Sequence, residues 1–349
     1  MRTLLVRLDS AGDVLLAGPA VRAAARTSDW VALLCGPQGA AAARLLPAVD
    51  DVIVWDAPWV GLDPPDARPD DIQQIAGRLT AHRFDRALVL ASFHQSPLPT
   101  ALVLRLAGIG WIGADSEHYP GSLLDLRHHR APHRHEADAA LDLARAAGYD
   151  LPPGDDGRLA VLPPPDARRL TGDGPYLVVH PGAAVAARAP AFGTAVEITT
   201  ALVRAGHRVV LTGGTDEVAL TSAVARRTGA LDLGGRADLH GLAGILAGAG
   251  VVVVGNTGPA HLAAAVGTPV VSLFAPVVPA ERWAPYRVPS VLLGDQQAAC
   301  AGTRARTCPI DGHPCLTSIR GDDVVAAVDG LIPRVKQRPA SVNTREVIA

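Results

Sequence analysis

A chain of 349 residues, 48% of them hydrophobic, is long for a single core and points to two α/β domains. Its formal net charge of −2, from 32 basic and 34 acidic residues interspersed along the chain, excludes the basic stripe a nucleic-acid binder needs. The apolar runs are too short and interrupted to span a membrane, and Met1 to Arg7 lack the apolar core of a signal peptide. The expected setting is cytoplasmic, with the inner face of a membrane as a possible place of work. Lys336 is the one lysine, so arginine takes the cationic roles, and four cysteines are too few for a disulfide scaffold at this size.

In chain order, residues 3–8, 31–35, 52–55, 87–90 and 109–113 read as short buried strands, separated by Ala-rich segments of helical spacing such as 18–26. The densest Pro and Gly region, within 151–174, is the expected linker. Strand signals resume at 176–180, 208–211, 251–254 and 270–274, alternating with helices near 195–205, 216–227 and 239–249. This predicts two consecutive Rossmann-like doubly wound domains, 1–150 and 175–333, and a loose tail over 334–349. Open α/β sheets bind ligands beyond the carboxyl ends of their strands, so motifs at strand exits belong to the cleft between the halves.

Four segments stand at such exits. Val251 to Val254 run into Gly255-Asn256-Thr257-Gly258-Pro259-Ala260-His261, where a small-residue turn opens a helix; its free N–H groups attract anions, Thr257 adds a hydroxyl and His261 an imidazole. A generic strand-turn-helix explains the glycines and the proline equally well. Asp13, in Arg7-Leu8-Asp9-Ser10-Ala11-Gly12-Asp13, is either a general base in the cleft or a carboxylate stabilising a helix N-terminus. Arg188, after Val179-His180-Pro181-Gly182, can pair with diphosphate oxygens or be an ordinary surface arginine. In Thr212-Gly213-Gly214-Thr215-Asp216-Glu217, Thr215 is a plausible N-cap, and the acids either bind a ribose or base or cap the helix. Neither opening strand is followed by G-x-G-x-x-G, which counts against a nicotinamide dehydrogenase.

Together, Ser10-Ala-Gly-Asp13 with Pro19, His180-Pro-Gly-Ala, Thr212-Gly-Gly and Asn256-Thr-Gly-Pro-Ala-His261 resemble the ADP-heptose heptosyltransferases of lipopolysaccharide synthesis, glycosyltransferase family 9. The resemblance spans nearly the whole chain and includes His133-Arg134-His135-Glu136 and Cys308-Pro309 with Cys315. It implies an α/β GT-B fold, two Rossmann-like domains facing a central cleft, with the acceptor on the N-terminal half and the sugar nucleotide mainly on the C-terminal half. It further implies that Asp13 deprotonates an acceptor hydroxyl for inverting attack, with Ser10 and Gly12 beside the acceptor. Arg188 stands where the family usually has a phosphate-binding lysine, and Thr257, Gly258 and His261 match its diphosphate turn. Gly182, Thr212, Gly213 and Glu217 fall on the donor side. Asn256 departs from the family's common aspartate, which makes it the expected point of difference in sugar specificity. No Asp-x-Asp pair stands in a suitable turn, in keeping with metal-independent transfer, and no cofactor is expected.

Two further clusters carry open readings. Cys300, Cys308, Cys315 and His313 can bind zinc, but closer C-x-x-C pairs are missing, and reduced, partly buried thiols account for them better. In the run 127–135, Arg127, Arg130 and Arg134 either hold an anionic acceptor or form a solvated loop leading into a helix. The expected partners are a nucleoside-diphosphate sugar, ADP-heptose foremost, and a glycan, glycolipid or small glycoside acceptor, without nucleic acid. A sugar-nucleotide epimerase and a non-catalytic sugar-nucleotide-binding protein are the alternatives; an epimerase would turn over without an acceptor.

Overall fold

The computed structural model describes the backbone of residues 1–336 and the side chains of residues 1–332. Twelve strands fall into two sheets of six. The first contains β1 (Arg2–Arg7), β2 (Trp30–Cys35), β3 (Asp51–Val54), β4 (Arg86–Val89), β5 (Trp111–Asp115) and β6 (Leu126–His128), in the order β3-β2-β1-β4-β5-β6. The second contains β7 (Leu177–His180), β8 (Val209–Leu211), β9 (Leu231–Asp232), β10 (Val252–Gly255), β11 (Val270–Leu273) and β12 (Ser290–Leu293), in the order β12-β11-β10-β7-β8-β9. Every pairing is parallel. Each half is an open, doubly wound sheet, with the strand order reversing beside β1 and β4 in the first and beside β7 and β10 in the second.

Side-chain alternation divides each sheet between layers. Leu4 and Val6 of β1 pack outward with Ile75 and Leu79 of the helix Pro69–His82, whereas Leu5 faces inward. In β7, Leu177 and Val179 pack outward under the helix Phe192–Arg204, and Val178 faces inward. The two inward faces share one apolar cluster, built around the helices Ala11–Leu16, Gly18–Ala25, Glu136–Ala146, Leu239–Ala247 and Gly258–Ala265. The halves are therefore joined by packed helices. Helix Ala11–Leu16 rests on Gly258–Ala265 at Gly12, where a Cβ would lie 2.9 Å from the His261 ring and 3.3 Å from the Gly258 Cα, too close for any larger residue.

The segment 151–174 lies between the two sheets in sequence and is held down: Arg22 grips Asp155 at 2.6 and 2.9 Å, and the Leu162 N–H meets the Leu45 carbonyl at 2.7 Å. The strands β6, β9 and β12 were not expected. All three are short, incompletely buried edge strands; β6 and β9 lack the apolar run that marks the central ones, and β12 holds a short one at Val291-Leu292-Leu293. Strand β5 starts at Trp111, two residues later than the apolar pattern indicated, because Gly108 turns the chain with φ +79°. The final helix Gly321–Lys336 runs into the stretch expected as a loose tail; the rest of that stretch, 337–349, lies outside the described residues.

Asn256, expected to touch donor sugar, does something else. It is buried at the end of β10, its Nδ2 donates to the Ala275 carbonyl and its Oδ1 accepts from the Ala275 N–H, each at 3.1 Å. One N–H and one lone pair of the amide clasp the segments past β10 and β11 together. Only a group with one donor and one acceptor fits this backbone pair. Asn256→Asp should therefore lower stability by about 1–3 kcal/mol at neutral pH by facing a second acceptor to the Ala275 carbonyl, and recover some of it on acidification. Equal melting temperatures for the two proteins at pH 7 would contradict the clasp.

Candidate active site

The carboxyl ends of β1 and β4 carry the charged heart of the cleft. Arg7, the last residue of β1, is 2% exposed, and its guanidinium is surrounded by three carboxylates: Asp13 at 2.9 Å, Asp9 at 3.0 Å and Glu136 at 3.3 Å. It also donates to the Leu90 carbonyl at 2.8 Å and Ser92 Oγ at 2.6 Å, just past β4. Burial alone would lower the Arg7 pKa, but the three carboxylates outweigh it and raise it. Glu136 is shared with Arg130, which bonds it at 2.6 Å and Asp115 at 3.0 Å.

Asp13 sits in the first turn of helix Ala11–Leu16, so the base and the helix-terminus readings describe the same place. Its Oδ1 accepts from Arg7 and, at 3.3 Å, from Trp283 Nε1 of the other half; its Oδ2 accepts from Ser10 Oγ at 2.8 Å. Burial would push this carboxyl up, but the Arg7 charge and the Ser10 and Trp283 hydrogen bonds hold it below the usual range. Asp9 goes the other way: burial, with repulsion from Asp13, raises it to about 6 despite Arg7 and a 2.5 Å hydrogen bond from Gln95. Two adjacent carboxyls thus have opposite proton affinities, a pattern found at reacting sites.

His261 faces Asp13 from the second half. It is buried beside Gly12, its Nδ1 has no partner among the described residues, and burial together with nearby His135 drives its pKa down to about 4, so the imidazole is neutral. Arg188 stands at the end of the turn Ala186–Arg188, with its Nε buried and no hydrogen bond from its guanidinium among the described residues. Burial lowers its pKa, and Asp13 opposes that. Thr257 precedes the helix Gly258–Ala265 at its N-cap, and its side chain makes no capping hydrogen bond. Asp13, His261, Arg188, Thr257 and Gly258 are therefore brought to one place, with Ser10 and Gly12 beside them.

Other expected site residues are placed differently. Thr212 is buried behind the cleft, its hydroxyl 3.1 Å from His180 Nδ1. Glu217 accepts from the Gly214 N–H at 2.8 Å and lies 3.4 Å from His180 Nε2, and its pKa is lowered chiefly by the His180 hydrogen bond. Gly214, not Thr215, is the N-cap, and Glu217 closes the first turn back onto it. Gly182 and Gly213 pack against Glu217, and a Cβ at Gly182 would overlap its carboxylate. Glu217 is half-buried and can still offer an oxygen to a ligand, but its first duty is to this turn.

The basic run 127–135 is not a single patch. Arg127 turns to the Ser116 and Glu117 carbonyls, and Arg134 grips Asp142 at 2.6 and 3.0 Å, so neither is a free cation for an acceptor. Arg130 alone of the three lines a cavity, with Phe93, His94, Gln95, Asp115 and Arg282, and it is neutralised by Asp115 and Glu136. Arg127 and His128 belong to β6, with Arg127 paired to Ala114 in register. Cys300 and Cys315 belong to the outer apolar core of the second half, where burial pushes the Cys315 thiol up to about 11.

Arg7, Asp9, Glu136 and Trp283 were not singled out from sequence. A spacing of two at the exit of a central strand puts Arg7 and Asp9 on one face, a signal that was available; nothing local marks Glu136 or Trp283 as their partners.

Two Rossmann-like, doubly wound halves define a GT-B fold. A family model described as glycosyltransferase family 9 (heptosyltransferase) matches residues 72–313, and the chain belongs to that family. Among solved structures, E. coli ADP-heptose LPS heptosyltransferase II shares 17% identity, with a TM-score of 0.73 over 96% of this chain and 100% of that one. The family 9 glycosyl transferase of Veillonella parvula DSM 2008 shares 16% identity, with a TM-score of 0.76 over 95% and 97%. E. coli WaaC with ADP-2-deoxy-2-fluoro heptose shares 21% identity, with a TM-score of 0.68 over 95% and 99%. A search of curated proteins by sequence gives no match. Among the described residues, no helix is long and apolar enough to cross a membrane.

Buried His261 sets an acid response. Its pKa is pushed from 6.5 to about 4, by burial and then by nearby His135. The unfolded chain takes up this proton below pH 6.5 while the folded protein resists, so its contribution to stability falls as pH drops from 6.5 toward 4. Asp9, at about 6 folded against 3.8 unfolded, contributes in the opposite sense between those values. His261→Gln should make Tm fall less steeply than in wild type across that window. A fall as steep as wild type would contradict the buried neutral His261.

Proposed function

We propose that this protein transfers a heptose, or a closely related sugar, from an ADP-linked donor to a hydroxyl of a glycan or glycolipid, with inversion at the anomeric carbon. The observation that carries this reading is Asp13. It is an ionised carboxylate held between Arg7 of one half and Trp283 of the other, facing the helix start at Gly258 and His261.

In a single displacement the acceptor oxygen bonds to the anomeric carbon as the bond to the donor diphosphate breaks, and the acceptor proton passes to Asp13. Arg7 makes Asp13 a weak base, so the proton moves only once the acceptor oxygen has gained positive character from the forming bond. Until then the carboxylate charge stabilises the electron-poor sugar. Charge on the departing diphosphate is met by Arg188, by the dipole of the helix Gly258–Ala265 and by the Thr257 hydroxyl, with neutral His261 as a further partner. These groups can balance the leaving group without a metal ion, so activity should persist in EDTA. The WaaC complex with an ADP-heptose analogue supports the choice of donor.

The cavity beside Arg130 is lined by the N-terminal half except for Arg282 and suits the acceptor. The division of labour by halves, 1–150 for acceptor and 175–333 for donor with 151–174 between, forms part of this proposal.

Asp13→Asn keeps the size and one acceptor for Arg7 while removing the base. It should lower kcat by about 10²–10⁴-fold and leave ADP affinity within a few-fold; a kcat close to wild type would defeat the assignment. On the acceptor side, Arg130→Ala should raise acceptor KM, whereas Arg127→Ala and Arg134→Ala should leave it unchanged. Steady-state kinetics with varied acceptor distinguish the three, and equal effects from all would restore a single basic patch.

A further inference from the structure

We propose that Arg304 is a second donor-binding cation, laid beside Arg188 by the loop 300–313 so that two guanidiniums hold the diphosphate. The inference rests on the donor reading above and adds a residue outside the motifs that carry the family resemblance.

The loop is tied directly to the segment that carries Arg188. The Ala187 N–H donates to the Arg306 carbonyl at 2.9 Å, and the Ala187 carbonyl accepts from His313 Nε2 at 3.1 Å. Ala187 is thus held from both sides by the loop, one residue before Arg188 and two residues in the loop from Arg304. At its root the loop hangs from the segment just past β11: the Gly302 N–H bonds the Pro276 carbonyl and the Arg304 N–H the Val277 carbonyl, at 2.9 and 2.8 Å. Its far side reaches the first half, where Arg306 pairs with Asp63 at 3.3 Å and donates to the Leu62 carbonyl.

Two residues of this loop have left-handed backbone although neither is glycine: Arg304 at φ +57° and His313 at φ +52°. Such conformations persist where the surrounding structure demands them, often at ligand sites. His313 uses its conformation to bond Ala187. Arg304 is exposed, and its charge is felt at Asp9, Asp13, His94 and Arg188. Its guanidinium, like that of Arg188, has no hydrogen bond or ion pair among the described residues. Arg7 and Arg130 nearby are engaged by carboxylates, and Arg282 lies over the Phe93 ring and donates to the Arg134 carbonyl. Two like charges placed together with their donors unspent form a receptor for a dianion, and bidentate guanidinium contacts match the oxygens of a diphosphate.

The test uses Arg304→Gly, which suits the left-handed backbone, and Arg304→Gln in the full chain. Binding of ADP and adenosine is measured by calorimetry, with donor and acceptor KM from kinetics. Both variants should bind ADP about ten-fold or more weakly and adenosine as wild type does, with donor KM raised and acceptor KM unchanged. ADP affinity within two-fold of wild type in Arg304→Gly overturns the assignment, as does an effect confined to acceptor KM. Wild-type protein that binds none of ADP, GDP and UDP overturns the donor reading itself, which is a different failure from wild-type binding that the variants share.

Discussion

One guanidinium organises this site. Arg7 ends the central strand of the first sheet, and its buried charge is the reason Asp9, Asp13 and Glu136 can stand within a few ångströms of one another. Without it three carboxylates would repel in a medium that screens poorly. A buried ion network contributes little net stability relative to an apolar core, but removing one member costs about 3–5 kcal/mol because the others are left uncompensated. The network therefore specifies geometry. It fixes Asp13 from below, ties it through the Leu90 carbonyl to β4 across the switch point, and reaches through Glu136 to Arg130 at the neighbouring cavity.

The second constraint is the seam between the halves. GT-B proteins must bring a base on one sheet to a leaving group on the other, and loop contacts alone would leave that distance loose. Here the seam is helix on helix at Gly12 and Gly258, with His261 wedged alongside and Trp283 hydrogen-bonded to Asp13 itself. Further out, Tyr286 bonds Asp138 at 2.5 Å and stacks on His135, whose ring also accepts from the Ala137 N–H and pairs with the Ala284 carbonyl. Asp13 and the helix start at Gly258 are thereby parts of one packed body.

Two departures from the family's usual residues have different physical weight. An arginine in place of lysine at 188 exchanges a point charge for a planar fork, which favours paired contacts to phosphate oxygens. Asparagine in place of aspartate at 256 removes a charge from a buried position and supplies the donor that the Ala275 carbonyl requires. The first changes the geometry of a cation in the cleft; the second bears on how two strand ends are held.

The central strands, the glycine-rich exits and the candidacy of Asp13, Thr257, Gly258 and His261 were legible in the sequence, because buried parallel strands are continuous apolar runs and turns that open helices demand small residues. The edge strands β6, β9 and β12 were not, since β6 and β9 hold no apolar run and the one in β12 is short, whereas the edge strand β3 was marked by Val52-Ile53-Val54. Sequence could nominate Asn256, Glu217 and Arg127 as polar groups near a ligand, but a polar side chain carries no mark of where its hydrogen bonds go. Only the tertiary structure decided that Asn256 is spent on Ala275, that Glu217 first closes its own turn and that Arg127 faces two carbonyls. It likewise decided that Arg7, Asp9 and Glu136 form one network and that Trp283 completes it, because those contacts join residues up to 270 positions apart, and local pattern holds no information at that range.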